Sequence, residues 1–187
     1  MQLRIATCAV LIAVLAGCST DEGEVAAPTA TPSASRPTQS EPPAPDVAPA
    51  TGARLTIEHL GEPVATYRAP TEKWVSTGRV ASKATVDGSF YLGGGAGITY
   101  PEISLDDAAE LNLENIERTI APVERLENRT VDGIEGYVLE GGKGPVLYYE
   151  FGATYEDSFV TISLESPIDT SKVRADIESV LASVRWQ

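Results

Sequence analysis

The sequence is poor in cysteine, in histidine and in basic residues, and each shortage removes a class of chemistry. Its 187 residues include two cysteines, Cys8 and Cys18, and one histidine, His59. Beyond residue 18 there is no thiol, so the rest of the chain cannot form a disulfide, a cysteine metal site or a cysteine nucleophile. One histidine excludes a histidine-based zinc site by count. A Ser-His-Asp triad would have to use His59, which ends a strand pattern and reads as a surface residue. No serine lies in a Gly-x-Ser-x-Gly elbow. Fourteen Lys and Arg stand against 27 Asp and Glu, a formal charge of −13. That balance argues against binding nucleic acid, which needs a basic face, and against a polybasic grip on anionic lipid. Acidity this general serves solubility first.

What is present begins at the N-terminus. Arg4 gives a short positive region, and Ile5 to Ala16 is mostly apolar. A stretch of about a dozen residues is too short to span a bilayer, which takes roughly 20, but fits the apolar region of a signal peptide. Leu15-Ala16-Gly17-Cys18 follows and resembles a bacterial lipobox, in which the cysteine sulfur is acylated and the peptide is cut just before it. The expectation is a signal peptide over 1–17 and a lipid on Cys18. The competing readings are an ordinary signal peptide with an incidental Cys18, or a soluble chain with an apolar end. Each buried methylene of an acyl chain contributes about 0.8 kcal/mol, and stable attachment takes more than one chain, which a di- or triacylated cysteine supplies. Loss of Arg4 with the signal would take the charge from −13 to −14.

Ser19 to about Gly52 holds seven prolines, many Ser, Thr and Ala, and no aromatic residue. Such a composition does not repay the entropy of ordering, so residues 18–53 are expected to be a disordered tether. Its reach is about 30 Å if flexible and approaches about 100 Å if fully extended. Its Thr and Pro content leaves O-glycosylation open.

Residues 54–187 then read as one α+β domain. Arg54–His59 alternates as a strand, Gly61-Glu62-Pro63 is a turn, and Val64–Arg68 is a second strand stopped by Pro70. Val80–Val86 and Ser89–Leu92 flank Asp87-Gly88, a hairpin signal. Ser104 as N-cap with Asp107 starts a helix over 105–120, with Leu105, Ala109, Leu113, Ile116 and Ile120 as its apolar stripe and Pro122 ending it. Thr130–Glu140 reads as one strand containing Gly133 and Gly136, followed by strands at Pro145–Tyr155 and Phe159–Glu165. Thr170, or Asp169, caps a last helix to about Ala182, and Trp186 docks the end. Strands, helix, meander, helix argue for a mostly antiparallel sheet with both helices packed on one face.

Several local patterns invite chemistry without completing it. Gly93-Gly94-Gly95-Ala96-Gly97 lacks the following Lys-Ser or Lys-Thr of a phosphate loop and reads as a mobile loop near the sheet edge. Asp106, Asp107 and Glu110 sit on a wet helix face without an ordered set of oxygen ligands for calcium. Asn128-Arg129-Thr130 matches a glycosylation sequon by chance. The aromatic strand is the most suggestive feature. Tyr149 and Phe151 share one face and Tyr148 takes the other. One face belongs to the core, and the other offers an interaction surface, for which tyrosine is well suited.

Tyr67-Arg68-Ala69-Pro70 with Trp74, Ser104-Leu105-Asp106-Asp107-Ala108-Ala109, Val131-Asp132-Gly133-Ile134-Glu135-Gly136-Tyr137, the aromatic strand at 147–151 and the ending Val180-Leu181-Ala182-Ser183-Val184-Arg185-Trp186 together resemble the actinobacterial LpqN-type lipoproteins, which are similar to the PsbP-like fold. The resemblance implies a binding or scaffolding module of the cell envelope without a catalytic residue set. It implies structural roles for Pro70, Trp74, Gly133, Gly136 and Trp186. The expected protein is no enzyme and carries no cofactor or metal. It sits on the extracytoplasmic side of the cell membrane through lipid on Cys18, and its partner is an envelope protein or a glycolipid, with Tyr148, Tyr149 and Phe151 as the contact surface. Two other readings stay open: a binder or carrier of a small apolar or glycolipid ligand, and a cell-wall hydrolase working through paired carboxylates.

Overall fold

The described residues form ten strands and two helices, and each helix carries an apolar stripe at helical spacing. The computed structural model describes residues 47–99, 103–120 and 122–187. Strands β1 (Arg54–His59) and β2 (Glu62–Arg68) form a hairpin whose turn, Leu60-Gly61, has both φ angles positive. Seven further strands are β3 (Val75–Thr77), β4 (Val80–Thr85), β5 (Gly88–Ile98), β6 (Val123–Val131), β7 (Ile134–Gly141), β8 (Leu147–Tyr155) and β9 (Ser158–Ser166). Helix α1 (Leu105–Thr119) joins β5 to β6, α2 (Ser171–Ala182) follows β9, and β10 (Arg185–Trp186) ends the chain. The large sheet runs β3-β4-β5-β9-β8-β7-β6, and the small one β1-β2-β10, with every pairing antiparallel. The class is α+β.

Both helices are set by their caps. Ser104 accepts from the Asp107 amide at 3.1 Å and Asp107 returns the bond to the Ser104 amide at 3.1 Å, a reciprocal box that satisfies two otherwise unpaired donors. The Ser104 hydrogen bonds hold the Asp107 carboxyl below its ordinary pKa. Thr170 accepts from the Val173 amide at 3.3 Å and is the cap of α2. Asp169 instead takes two bonds from Arg174, at 2.9 and 2.8 Å.

The helices lie on opposite faces of the large sheet, not on one. Strand β8 shows why, because successive side chains point to opposite sides. Leu147, Tyr149, Phe151 and Ala153 join a core with Leu55, Ile57 and Tyr67 of the small sheet and Val173, Ile177, Val180 and Leu181 of α2. Tyr148 joins Tyr137, Leu139 and the Ala108, Ala109 and Ile116 face of α1 in a second core. One layer is thus α1, the next the large sheet, and the third the small sheet with α2. Burying side chains of this size contributes roughly 1.5–3 kcal/mol each.

Four boundaries differ from the sequence reading. The stretch 130–140 is a hairpin, with Asp132 (φ 48) and Gly133 (φ 86) turning β6 into β7; two positive φ angles match the tight turn that Asp-Gly favours. The glycine run 93–97 belongs to β5, paired residue by residue with Ser163–Phe159 of β9. It is an extended strand because the small sheet presses on it: a Cβ at Gly94 would come within 2.7 Å of Ile57 Cδ1. The folded unit also takes in residues before 54, since Ala50 is buried and donates to Ser179 at 2.8 Å. At the other end, β10 pairs with β2, and Trp186 donates through Nε1 to the Val131 carbonyl at 2.9 Å and stacks on Tyr155 at 5.2 Å. The signal region, Cys18 and the tether up to residue 46 lie outside the described residues.

The glycines give the fold a direct test. A Cβ at Gly136 would meet the Phe151 ring at 2.4 Å and the Gly152 carbonyl at 2.6 Å, whereas one at Gly97 meets nothing within 4 Å. Gly136→Ala is expected to cost about 1–3 kcal/mol, the range for overpacking, and Gly97→Ala to stay within about 0.5 kcal/mol of the parent, read by urea unfolding.

Candidate functional site

Helix α1 packs on β6, β7 and β8, and a cleft of about 160 Å3 opens where its N-terminal half meets the end of β5. Ile98 and Thr99 line one wall, Ile103, Ala108, Leu111 and Asn112 the other, and Thr154 and Phe159 form the floor. The apolar members are not sealed from water: Ile98 is 61% exposed and Leu111 59% exposed. Leu111 stands off the apolar stripe of its helix, so it does not serve the core. A cluster of exposed apolar side chains around a concavity marks a contact surface for apolar matter. Among the described residues, those that line the cleft carry no ionisable side chain. The cleft can therefore hold an apolar group.

Beneath the floor lies a buried carboxyl, the one charged side chain that is buried among the described residues. Glu150, on the α1 face of β8, is 6% exposed. Tyr137 donates to its Oε1 at 2.7 Å and Tyr148 to its Oε2 at 2.6 Å. Burial pushes the Glu150 carboxyl up, opposed by the hydrogen bonds from Tyr148 and Tyr137. Burial first, and then the carboxylate itself, push both phenols well above their ordinary values, so both remain donors. The Tyr137 ring passes directly over Gly152, where a Cβ would come within 2.3 Å of it, and stacks on Phe159 at 6.0 Å. A continuous set of contacts therefore runs from Glu150 through Tyr137 to the cleft floor.

The structure corrects the assignment of the aromatic strand as an interaction surface. Tyr148, Tyr149 and Phe151 are 3%, 5% and 0% exposed. The sheet is covered on both faces here, so the strand has no wet side. Tyr148 binds Glu150 under α1, and Phe151 fills the space left by Gly136. Tyr149 accepts from Arg129 Nη1 at 3.2 Å, and Arg129 grips both carboxylate oxygens of Glu178 at 2.9 and 2.8 Å, tying β6 to α2. Those bonds lower the Glu178 carboxyl. The acidic residues at the start of α1 have structural partners: Asp107 closes the cap, and Asp106 accepts from Arg125 at 2.6 Å. The cleft escaped the sequence reading, although the off-stripe Leu111 was its one visible sign.

No family model matches the chain, and no curated protein matches it. Among solved structures it is similar to a PsbP-like protein, the solution structure of cyanobacterial PsbP (CyanoP) from Synechocystis sp. PCC 6803. The TM-score is 0.40 and the identity 12%, over 70% of this chain and 96% of that one. No helix among the described residues is long and apolar enough to cross a membrane.

Glu150 makes stability depend on pH with a defined sign. Its carboxyl is raised above 4.5 in the folded chain, so the fold favours the protonated form. That contribution is present in full below the unfolded value and is lost as pH rises through the folded one. Glu150→Gln keeps an acceptor for one tyrosine and a donor for the other, and removes the titration. The stability of Glu150→Gln relative to the parent should therefore increase between pH 4.5 and pH 8, measured by urea unfolding at fixed ionic strength. A constant difference over that range would contradict the assignment.

Proposed function

We propose that this chain is a lipid-anchored, extracytoplasmic binding module of the cell envelope, of the LpqN type, which holds another envelope component through the cleft under α1 and does no covalent chemistry. The lipobox Leu15–Cys18 supports the anchor, and a proline-rich stretch behind it supports a tether that lifts the domain from the membrane. The observation that carries the binding role is the cleft itself, with exposed Ile98, Ile103 and Leu111 at its rim.

Size favours one of two kinds of occupant. Pockets that enclose a whole small molecule run to about 300–1,000 Å3, and this cleft offers about 160 Å3. A protruding apolar group of a larger partner fits that space better than an entire ligand, which favours docking and scaffolding. The second reading, a binder of a small apolar or glycolipid molecule, is favoured by the apolar lining alone, with Thr99, Asn112 and Thr154 available to a polar head. A wall hydrolase would need two carboxylates facing each other across a cleft, and the described lining residues include none.

Two measurements test the parts separately. Metabolic labelling with an alkyne fatty acid should mark the parent chain and fail to mark Cys18→Ser, which should also leave the membrane fraction; labelling of Cys18→Ser would overturn the anchor. Affinity capture from envelope membranes, with mass spectrometry of proteins and lipids, should recover a discrete species that Leu111→Asp loses by at least tenfold while its unfolding midpoint is unchanged. Equal recovery by both chains would remove the cleft from the account.

A further inference from the structure

A second cleft, of about 500 Å3, lies at β1 and the β3–β4 turn and is lined mainly by polar and charged groups. Arg54, Thr56 and Glu58 line it from β1, at the alternate positions that share one face of a strand. Leu55 and Ile57, at the intervening positions, are buried in the core. Gly78 and Arg79 line it from the turn, and Gly61 from the hairpin end of β1. Both glycines have positive φ, and an added Cβ at either would meet nothing within 4 Å, so the cleft is open at both rims. The turn is fixed from below, since the buried Tyr67 hydroxyl donates to the Arg79 carbonyl at 2.8 Å.

The arginines are the informative groups. Arg68, Arg118, Arg125, Arg129, Arg174 and Arg185 each donate to a carboxylate, an amide oxygen or a backbone carbonyl. Among the described residues, Arg54 and Arg79 have no side-chain hydrogen bond and no ion pair, and both line this cleft. Glu58 shares the cleft without pairing to either. In a chain of formal charge −13, two guanidiniums left free of abundant carboxylates and placed on two separate elements form a local positive site with net charge of one. Guanidinium forks suit phosphate oxygens, which accept parallel N–H bonds. The Thr56 hydroxyl and the Glu58 carboxylate add a donor and acceptors of the kind that bind hydroxyl groups.

We propose that this cleft binds a phosphate group borne on a hydroxylated carrier, such as a polyol or sugar headgroup, with Arg54 and Arg79 on the phosphate and Thr56 and Glu58 on the hydroxyls. The site is separate from the apolar cleft and does not rest on its assignment. Calorimetric titration of the purified full-length chain in neutral detergent with glycerol 3-phosphate tests it. Saturable binding is expected, at least tenfold tighter than for inorganic phosphate and lost by at least tenfold in Arg54→Gln/Arg79→Gln with an unchanged unfolding midpoint. Glu58→Gln should weaken discrimination between the two probes while tightening inorganic phosphate, because a like charge is removed. Absence of saturable heat, or a double variant that binds as the parent does, would overturn the site. Equal affinity for the two probes would overturn the hydroxylated carrier.

Discussion

The fold depends on one constraint: β8 is buried on both faces at once. From Leu147 to Ala153 every residue of the strand is covered, so each side chain must find room either under α1 or under α2 and the small sheet. The neighbouring glycines supply that room. Gly136 admits the Phe151 ring, and Gly152 admits the Tyr137 ring. A strand with this demand separates the two helices to opposite sides and gives the domain two cores instead of one.

The same constraint explains why the one acidic residue of the buried stretch is handled as it is. A carboxyl taken out of water costs several kcal/mol unless it is protonated or fully hydrogen-bonded. Glu150 meets the cost with two phenol donors, Tyr148 from its own strand and Tyr137 from the adjacent β7. Tyr137 serves twice, as a donor to Glu150 and as the support for Phe159 at the floor of the apolar cleft. Among the described residues, the apolar rim above it stays exposed at Ile98, Ile103 and Leu111. Local consistency breaks there, as it commonly does where a surface is kept for binding.

Much of the fold was legible in the sequence. Strand β1 was read at its observed bounds, α1 to within a residue and the Thr170 cap correctly, because period, cap and proline signals are local. The misses have physical causes. The Asp132-Gly133 turn was absorbed into one long strand although Asp-Gly is a hairpin signal. The run at 93–97 looked like a loop because glycine has low strand propensity, and only the approach of Ile57 and Tyr67, distant in sequence, makes it necessary. Tyr148, Tyr149 and Phe151 were given one free face because alternation along a strand does not tell a sheet covered on both sides from one covered on a single side; that second cover, α1 with Tyr137 of β7, comes from elsewhere in the chain. The apolar cleft joins the end of β5, α1 and the β8–β9 pair, so spacing along the chain carries no trace of it beyond the stray Leu111.

The central claim is that the apolar cleft under α1 is the surface by which this domain engages another envelope component. Site-specific photocrosslinking in intact cells tests it most directly, with a photoreactive side chain placed at Leu111 and, as a control, at the fully exposed Val86 in the β4–β5 turn. The account predicts a discrete crosslinked species from position 111 that is absent from position 86. No crosslink at 111, or the same products from both positions, would contradict it.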